Sequence, residues 1–251
     1  MADKLLFKFR PVTTVEHLSR IIDSINNNRI FFPDYKKLND PLESSGYSIE
    51  LSGYAGISIT KNADEEDMFV EQERRNYRIL SLTENCFSPS MWAHYTNGFK
   101  GICIGYWKKG CFSNAHKVNY SDEKIFPVKD SEGIIHDRAI MKKEVKKSFF
   151  YKHSDWSYEK EWRIIKRQEE PFLYYSEEEL ACIIFGGNLD SNIRDIIINS
   201  INKRPKFFYT KIGYRSFCID ILPIAYKVEL AGEIPPFIRN IKALKKEIIT
   251  P

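Results

Sequence analysis

Two glutamates, Glu159 and Glu161, stand two positions apart in the segment WSYEKEWR, directly before an apolar run. On an extended backbone, residues i and i+2 project to the same side. Carboxylates on one face repel, so one is expected to hold its proton more tightly while the other stays ionised. Such a pair suits stabilisation of a developing cation, or a base that activates a nucleophile. Trp156, Tyr158 and Trp162 surround it with flat apolar surface that lowers the local dielectric. With Glu161 facing a cleft, Arg163 is expected on the other side, locking the strand by a salt bridge. The plainer reading makes both glutamates exposed partners of nearby lysines.

MWAHY sets His94 between Trp92 and Tyr95, offering a ring to stack on, a titratable imidazole and a phenol. Ser88 and Ser90 lie nearby, but no GxSxG elbow supports a Ser/His hydrolase. Core aromatics around a locally satisfied histidine are the alternative. LNDPLE brings Asn39, Asp40 and Glu43 around Pro41, which is first of all a turn. Lys8 and Arg10 alternate with Phe7 and Phe9, so two cations share a strand face that could bind phosphate. No GxxxxGK[ST], GxGxxG or HExxH occurs, which disfavours a nucleotide P-loop, a dinucleotide fold and a catalytic metal.

The elements that must position these residues follow from periodicity. Strands are expected at 5–12, 29–32, 78–84, 101–107, 162–167 and 180–187, with PKFFYTKIG and FCIDILPIAY completing the sheet. HKVNYS (116–121) is expected to pair with the strand at 101–107. Helices are expected at 15–25 behind a Thr13 or Thr14 cap, at 61–77, at about 134–152 and at 191–202. SPSMWAHYTNGFKG reads as a loop or short helix, and residues from about 232 to 251 as a polar tail or helix. No repeat or linker breaks the chain, so residues 1–251 are expected to form a single domain of catalytic type. The irregular order of strands and helices favours α+β.

The 251 residues are 43% hydrophobic and 29% charged, a globular composition. A net charge of +4 permits a nucleic-acid partner without requiring one. Five cysteines with no CxxC pair argue against a disulfide framework or a zinc site. MADKLLFKFRPV lacks the apolar stretch of a signal peptide, and no run reaches 18 apolar residues. A reducing cytoplasm, without membrane contact, is therefore expected.

The Lys8-Phe9-Arg10 strand, LNDPLE, MWAHYTNGFKGICI (91–104) and WSYEKEWRII (156–165), in this order, resemble a bacterial family catalogued as domain of unknown function 2971. More weakly, the chain resembles ADP-ribosyltransferase toxins that modify DNA or RNA. That resemblance implies a mixed, mostly antiparallel split sheet with flanking helices, and NAD as substrate. It implies that Lys8 or Arg10 holds NAD, that Tyr95 or Trp92 stacks on nicotinamide, and that Glu161 is catalytic. Glu159 or His94 would take the nucleophile's proton, and Asn39 and Asp40 are further candidate contacts to NAD. Lysines at 142–147 and 203–206 would track a nucleic-acid acceptor. A toxin or phage-defence role, with an antitoxin or chaperone partner, is implied in the same way. Two other classes stay open: a metal-independent nuclease using His94 and the glutamates, and a non-enzymatic module that binds nucleotides by stacking.

Overall fold

The chain is α+β, built on one mixed, mostly antiparallel sheet. The computed structural model describes residues 4–40, 63–122, 138–167, 170–213, 218–224 and 237–250. Pro41 and Glu43 of LNDPLE lie outside the described residues, as do the first residues expected in the helix at 134–152 and in the C-terminal tail.

β1 (Leu5–Pro11) is followed by α1 (Val15–Asn26). The Thr14 hydroxyl accepts from the His17 amide and caps α1, while Ile21 and Ile25 bury its inner face. Asn28, at φ 49°, turns the chain into β2 (Arg29–Phe31). α2 (Ala63–Arg74) leads to β3 (Tyr77–Thr83). Ser88 caps the short α3 (Pro89–Tyr95), which starts on Pro89 as a first-turn proline should. β4 (Gly101–Trp107) is buried along six of its seven residues, the signature of a central strand covered on both faces.

The short β5 (His116–Lys117) pairs with β8 (Glu161–Arg167), not with β4 as the sequence led us to expect. β6 (Asn119–Tyr120) pairs in parallel with β7 (Tyr151–Lys152), which follows α4 (Arg138–Ser148). Segments this short carry too little apolar pattern to choose a partner, so tertiary packing decides. β9 (Phe172–Tyr174) pairs with β2 in a separate ribbon. β10 (Leu180–Phe185), α5 (Ser191–Ser200), β11 (Lys206–Ile212), β12 (Ile219–Pro223) and α6 (Ile241–Ile249) complete the chain.

The main sheet runs β12-β11-β10-β4-β1-β3-β8-β5, parallel only at β10–β11. Leu6, Ile102, Ile104 and Ile183 pack on one face with α1 and α5; Phe7, Phe9, Trp92 and Cys103 pack on the other with α3 and α6. Tyr35, Val70, Tyr77, Ile79 and Val145 form a smaller core between α2, α4 and β3.

One junction in this sheet is narrow. β1 and β4 pair at seven positions, and so do β3 and β8, but β1 and β3 share the single pair Phe7↔Thr83. Beyond it, the Lys8 ammonium donates to the Ser81 carbonyl at 2.8 Å, where a ladder bond would otherwise run. The sheet therefore has a seam between β1 and β3.

Candidate active site

A cavity of about 260 Å³ opens at this seam. β1 contributes Lys8 and Arg10, β3 Ser81 and Thr83, and β8 Glu161 and Arg163; α3 contributes Tyr95, β7 Lys152, and the loop after β2 Lys37 and Asn39. Glu159 enters from the turn before β8. Five basic side chains thus face two carboxylates.

The carboxylates meet by a route different from the one expected. Glu159 lies in a 3-10 turn over Ser154–Glu159, and Lys160 then adopts the left-handed conformation, φ 45° and ψ 50°. This reversal, rather than strand pleating, turns Glu159 back over Glu161. The Thr83 hydroxyl ties the turn down by donating to the Glu159 carbonyl at 2.5 Å. Tyr120 holds the strand start, its hydroxyl accepting from the Glu161 amide at 2.8 Å.

Lys152 joins the two acids. Its ammonium donates to Glu159 Oε2 at 2.6 Å and to Glu161 Oε2 at 3.4 Å. Arg163 grips Glu161 from two sides, Nε to Oε1 at 2.8 Å and Nη2 to Oε2 at 2.9 Å, and spends Nη1 on the Phe149 carbonyl. Arg163 therefore stands on the same side of β8 as Glu161, correcting the expectation. Residues two apart on a strand share a face, and Ser81 and Thr83 opposite them share it too. Both glutamates are buried, 2% and 5% exposed, so neither is a surface partner of lysines.

Electrostatics separates the pair in the way two crowded carboxylates should. Burial raises Glu159, with Lys152 pulling against it and the Glu161 charge reinforcing it. Burial also opposes ionisation of Glu161, but Arg163 and then Lys152 outweigh it and hold that carboxyl at about 2. Lys8 is pushed down to about 7, first by burial and then by Arg10. Tyr95 donates to Glu159 Oε1 and also bonds Asn39; burial, followed by the Glu159 charge, raises its phenol far above the ordinary range.

Arg10 differs from its neighbours. It is half-buried, and no described residue engages its guanidinium by a hydrogen bond or ion pair. A desolvated guanidinium with spare donors is ready to donate to the oxygens of an anion.

The seam thus gathers Lys8, Arg10, Asn39, Tyr95, Glu159 and Glu161. Three other candidates lie elsewhere. Trp92 is fully buried against Phe9 and Phe99, donates to the Cys86 carbonyl at 2.7 Å, and is a packing residue instead of a stacking platform. His94 is exposed on α3 beside Tyr158, with 6.4 Å between ring centres, and does not line the cavity. Asp40 is buried, also away from the lining. Nothing in the sequence pointed to Lys152 or Ser81, and the salt bridge expected of Arg163 forms on the same side of β8 as Glu161. Only the placement of Arg163 two residues after Glu161 carried a signal for it.

Among the described residues, no group of three or more His, Cys, Asp or Glu side chains could hold a metal ion, and no helix is long and apolar enough to cross a membrane. Comparison with curated proteins gives no match, and neither does comparison with solved structures. The resemblance carried by MWAHY and WSYEKEWR stands: residues 91–164, which include Tyr95, Lys152, Glu159 and Glu161, match the model of the family described as protein of unknown function (DUF2971).

Proposed function

We propose that this chain is an NAD-consuming ADP-ribosyltransferase whose site is the seam cavity, acting on a nucleic-acid or protein acceptor, in a toxin or phage-defence role. The observation that carries this reading is one cavity holding both an ionised buried carboxylate, Glu161, and an unengaged guanidinium, Arg10. Glycosidic cleavage of NAD develops positive charge at the ribose while the pyrophosphate stays anionic, so the substrate needs both groups. Glu161 is fixed by Arg163 and stays ionised at neutral pH; it would face the developing cation without having to reorganise. Arg10, helped by Lys8, would fork the pyrophosphate. Tyr95 borders the space for a flat ring. Glu159 favours its neutral form more than an ordinary carboxyl does, and would pass a proton between the acceptor nucleophile and solvent. In the balanced step the C1′–N bond breaks, nicotinamide leaves with the bonding electrons, and the acceptor's O or N bonds C1′ as it loses its proton.

The nuclease alternative has less support, because His94 stands outside the cavity. The deciding experiment incubates the protein with labelled NAD and with RNA, DNA and cell protein in separate tubes. Nicotinamide release and label transfer are expected, falling at least about a hundredfold in Glu161→Gln. A folded protein that releases no nicotinamide with any acceptor would sink the reading.

A further inference from the structure

A second, larger cavity of about 470 Å³ lies on the other side of Arg10, between α1, β2 and β9. Arg10 and Lys37 line both cavities, and Arg20 and Arg29 join them in this one. Among the described residues the one acid in its lining is Asp23, already taken by Arg29 through contacts of 2.9–3.1 Å. Among the described residues Arg20 pairs with Glu16 at the exposed rim; the basicity of Arg10 is lowered first by burial and further by Arg20. Like charges held together around a concave space, with one guanidinium unengaged, favour a ligand of at least one full negative charge. The remaining wall combines Pro11, Ile21 and Ile104 with two aromatic rings, Phe31 and Phe172. Phe31 is 38% exposed and meets Phe172 edge-on, with ring centres 5.7 Å apart. Arg29 lies 4.4 Å from the centre of the Phe172 ring, while Arg78 stands farther from Phe31, 6.0 Å from its ring centre, and Phe31 keeps the exposed surface.

We propose that this cavity is a nucleotide site: a phosphate sits on Arg10, Arg20 and Lys37, and a base stacks on Phe31. Its volume suits one nucleotide, and base-on-aromatic stacking with a cationic rim is how sequence-tolerant nucleotide sites are built. The ligand is either a free nucleoside phosphate or one nucleotide of a single strand, since both present the same chemistry. The site stands whether or not the seam cleaves NAD.

Titration calorimetry of the purified chain with AMP, with a single-stranded RNA hexamer and with inorganic phosphate tests this. AMP or the hexamer should bind, and the tighter of the two names the source. Binding should weaken on the order of tenfold or more in Arg10→Gln, and less in Arg10→Lys, which keeps the charge but loses the fork. Arg20→Gln should weaken it several-fold. Phe31→Ala should weaken AMP but not inorganic phosphate, and Glu161→Gln, confined to the other cavity, should leave AMP binding unchanged. Thermal unfolding of each variant controls for folding. No binding of AMP or hexamer at millimolar concentration would overturn the proposal, as would AMP binding unmoved by Arg10→Gln and Phe31→Ala, or as sensitive to Glu161→Gln as to Arg10→Gln.

Discussion

Lys152, Glu159, Glu161 and Arg163 are linked buried charges, so removing any one is asymmetric in its effect. Taking one partner from a buried ion pair typically costs about 3–5 kcal/mol, because the other is left charged and dry. Arg163→Met should therefore destabilise the fold by roughly that amount, measurable by denaturant unfolding. Tyr95→Phe removes one hydroxyl from Glu159 and should cost about 1–3 kcal/mol, raising the Glu159 pKa further. The pH dependence follows from the signs. Glu161 titrates at about 2 when folded, against an ordinary 4.5, so its contribution to stability is complete above roughly pH 4.5 and fades as pH falls toward 2. Glu161→Gln should flatten that acid limb. Lys8 runs the other way: folded at about 7 against 10.5 unfolded, it makes the protein more stable as pH rises between those values, while its charge at the seam disappears. Anion binding at the seam should weaken as pH passes 7, and Lys8→Arg should remove that step; a binding curve that keeps it would show that another group titrates.

At the scale of elements, what could be read from the chain and what could not divide by contact range. β4 and β10 announce themselves as unbroken apolar runs, and α1 by its spacing and its Thr14 cap. Lys8 and Arg10 were legible as one face of β1 because pleating is a local rule. The meeting of Glu159 with Glu161 was expected for the wrong reason, since only coordinates reveal the left-handed Lys160. Lys152 was invisible because a turn, not a repeating geometry, returns it to the glutamates. Trp92 misled because a buried ring and a ligand-facing ring have the same letter. Gly101 sets the approach of β4 to β1: a Cβ there would lie 2.2 Å from the Arg10 carbonyl and 2.8 Å from Thr96 Cβ. Gly101→Ala must push β1 away or distort it. A loss of about 1–3 kcal/mol is expected, together with weakened ligand binding at Arg10, checked by unfolding and calorimetry on the same variant.

Over the whole molecule, two sets of strands are each laced along their length and meet at one register pair. Both cavities border β1, and Arg10 lines both, so a ligand in either one acts on the same strand. Native-state hydrogen exchange should find the β3-facing amides of β1 less protected than its β4-facing amides, because fewer ladder bonds must open. A ligand bridging Arg10 and Glu161 should raise that protection by its own binding energy; equal protection on both edges without ligand would mean the seam is not the weak junction.

Considered under tension, the same seam is the place where the molecule should tear. A pulling geometry that loads β1 against β3 meets a single backbone pair and one ammonium-to-carbonyl bond, whereas any path through β1–β4 or β3–β8 meets seven pairs. Single-molecule extension should show an early, low-force rupture that separates the two sets of strands while each stays intact, and that rupture should move to higher force when both walls of the seam hold a common ligand.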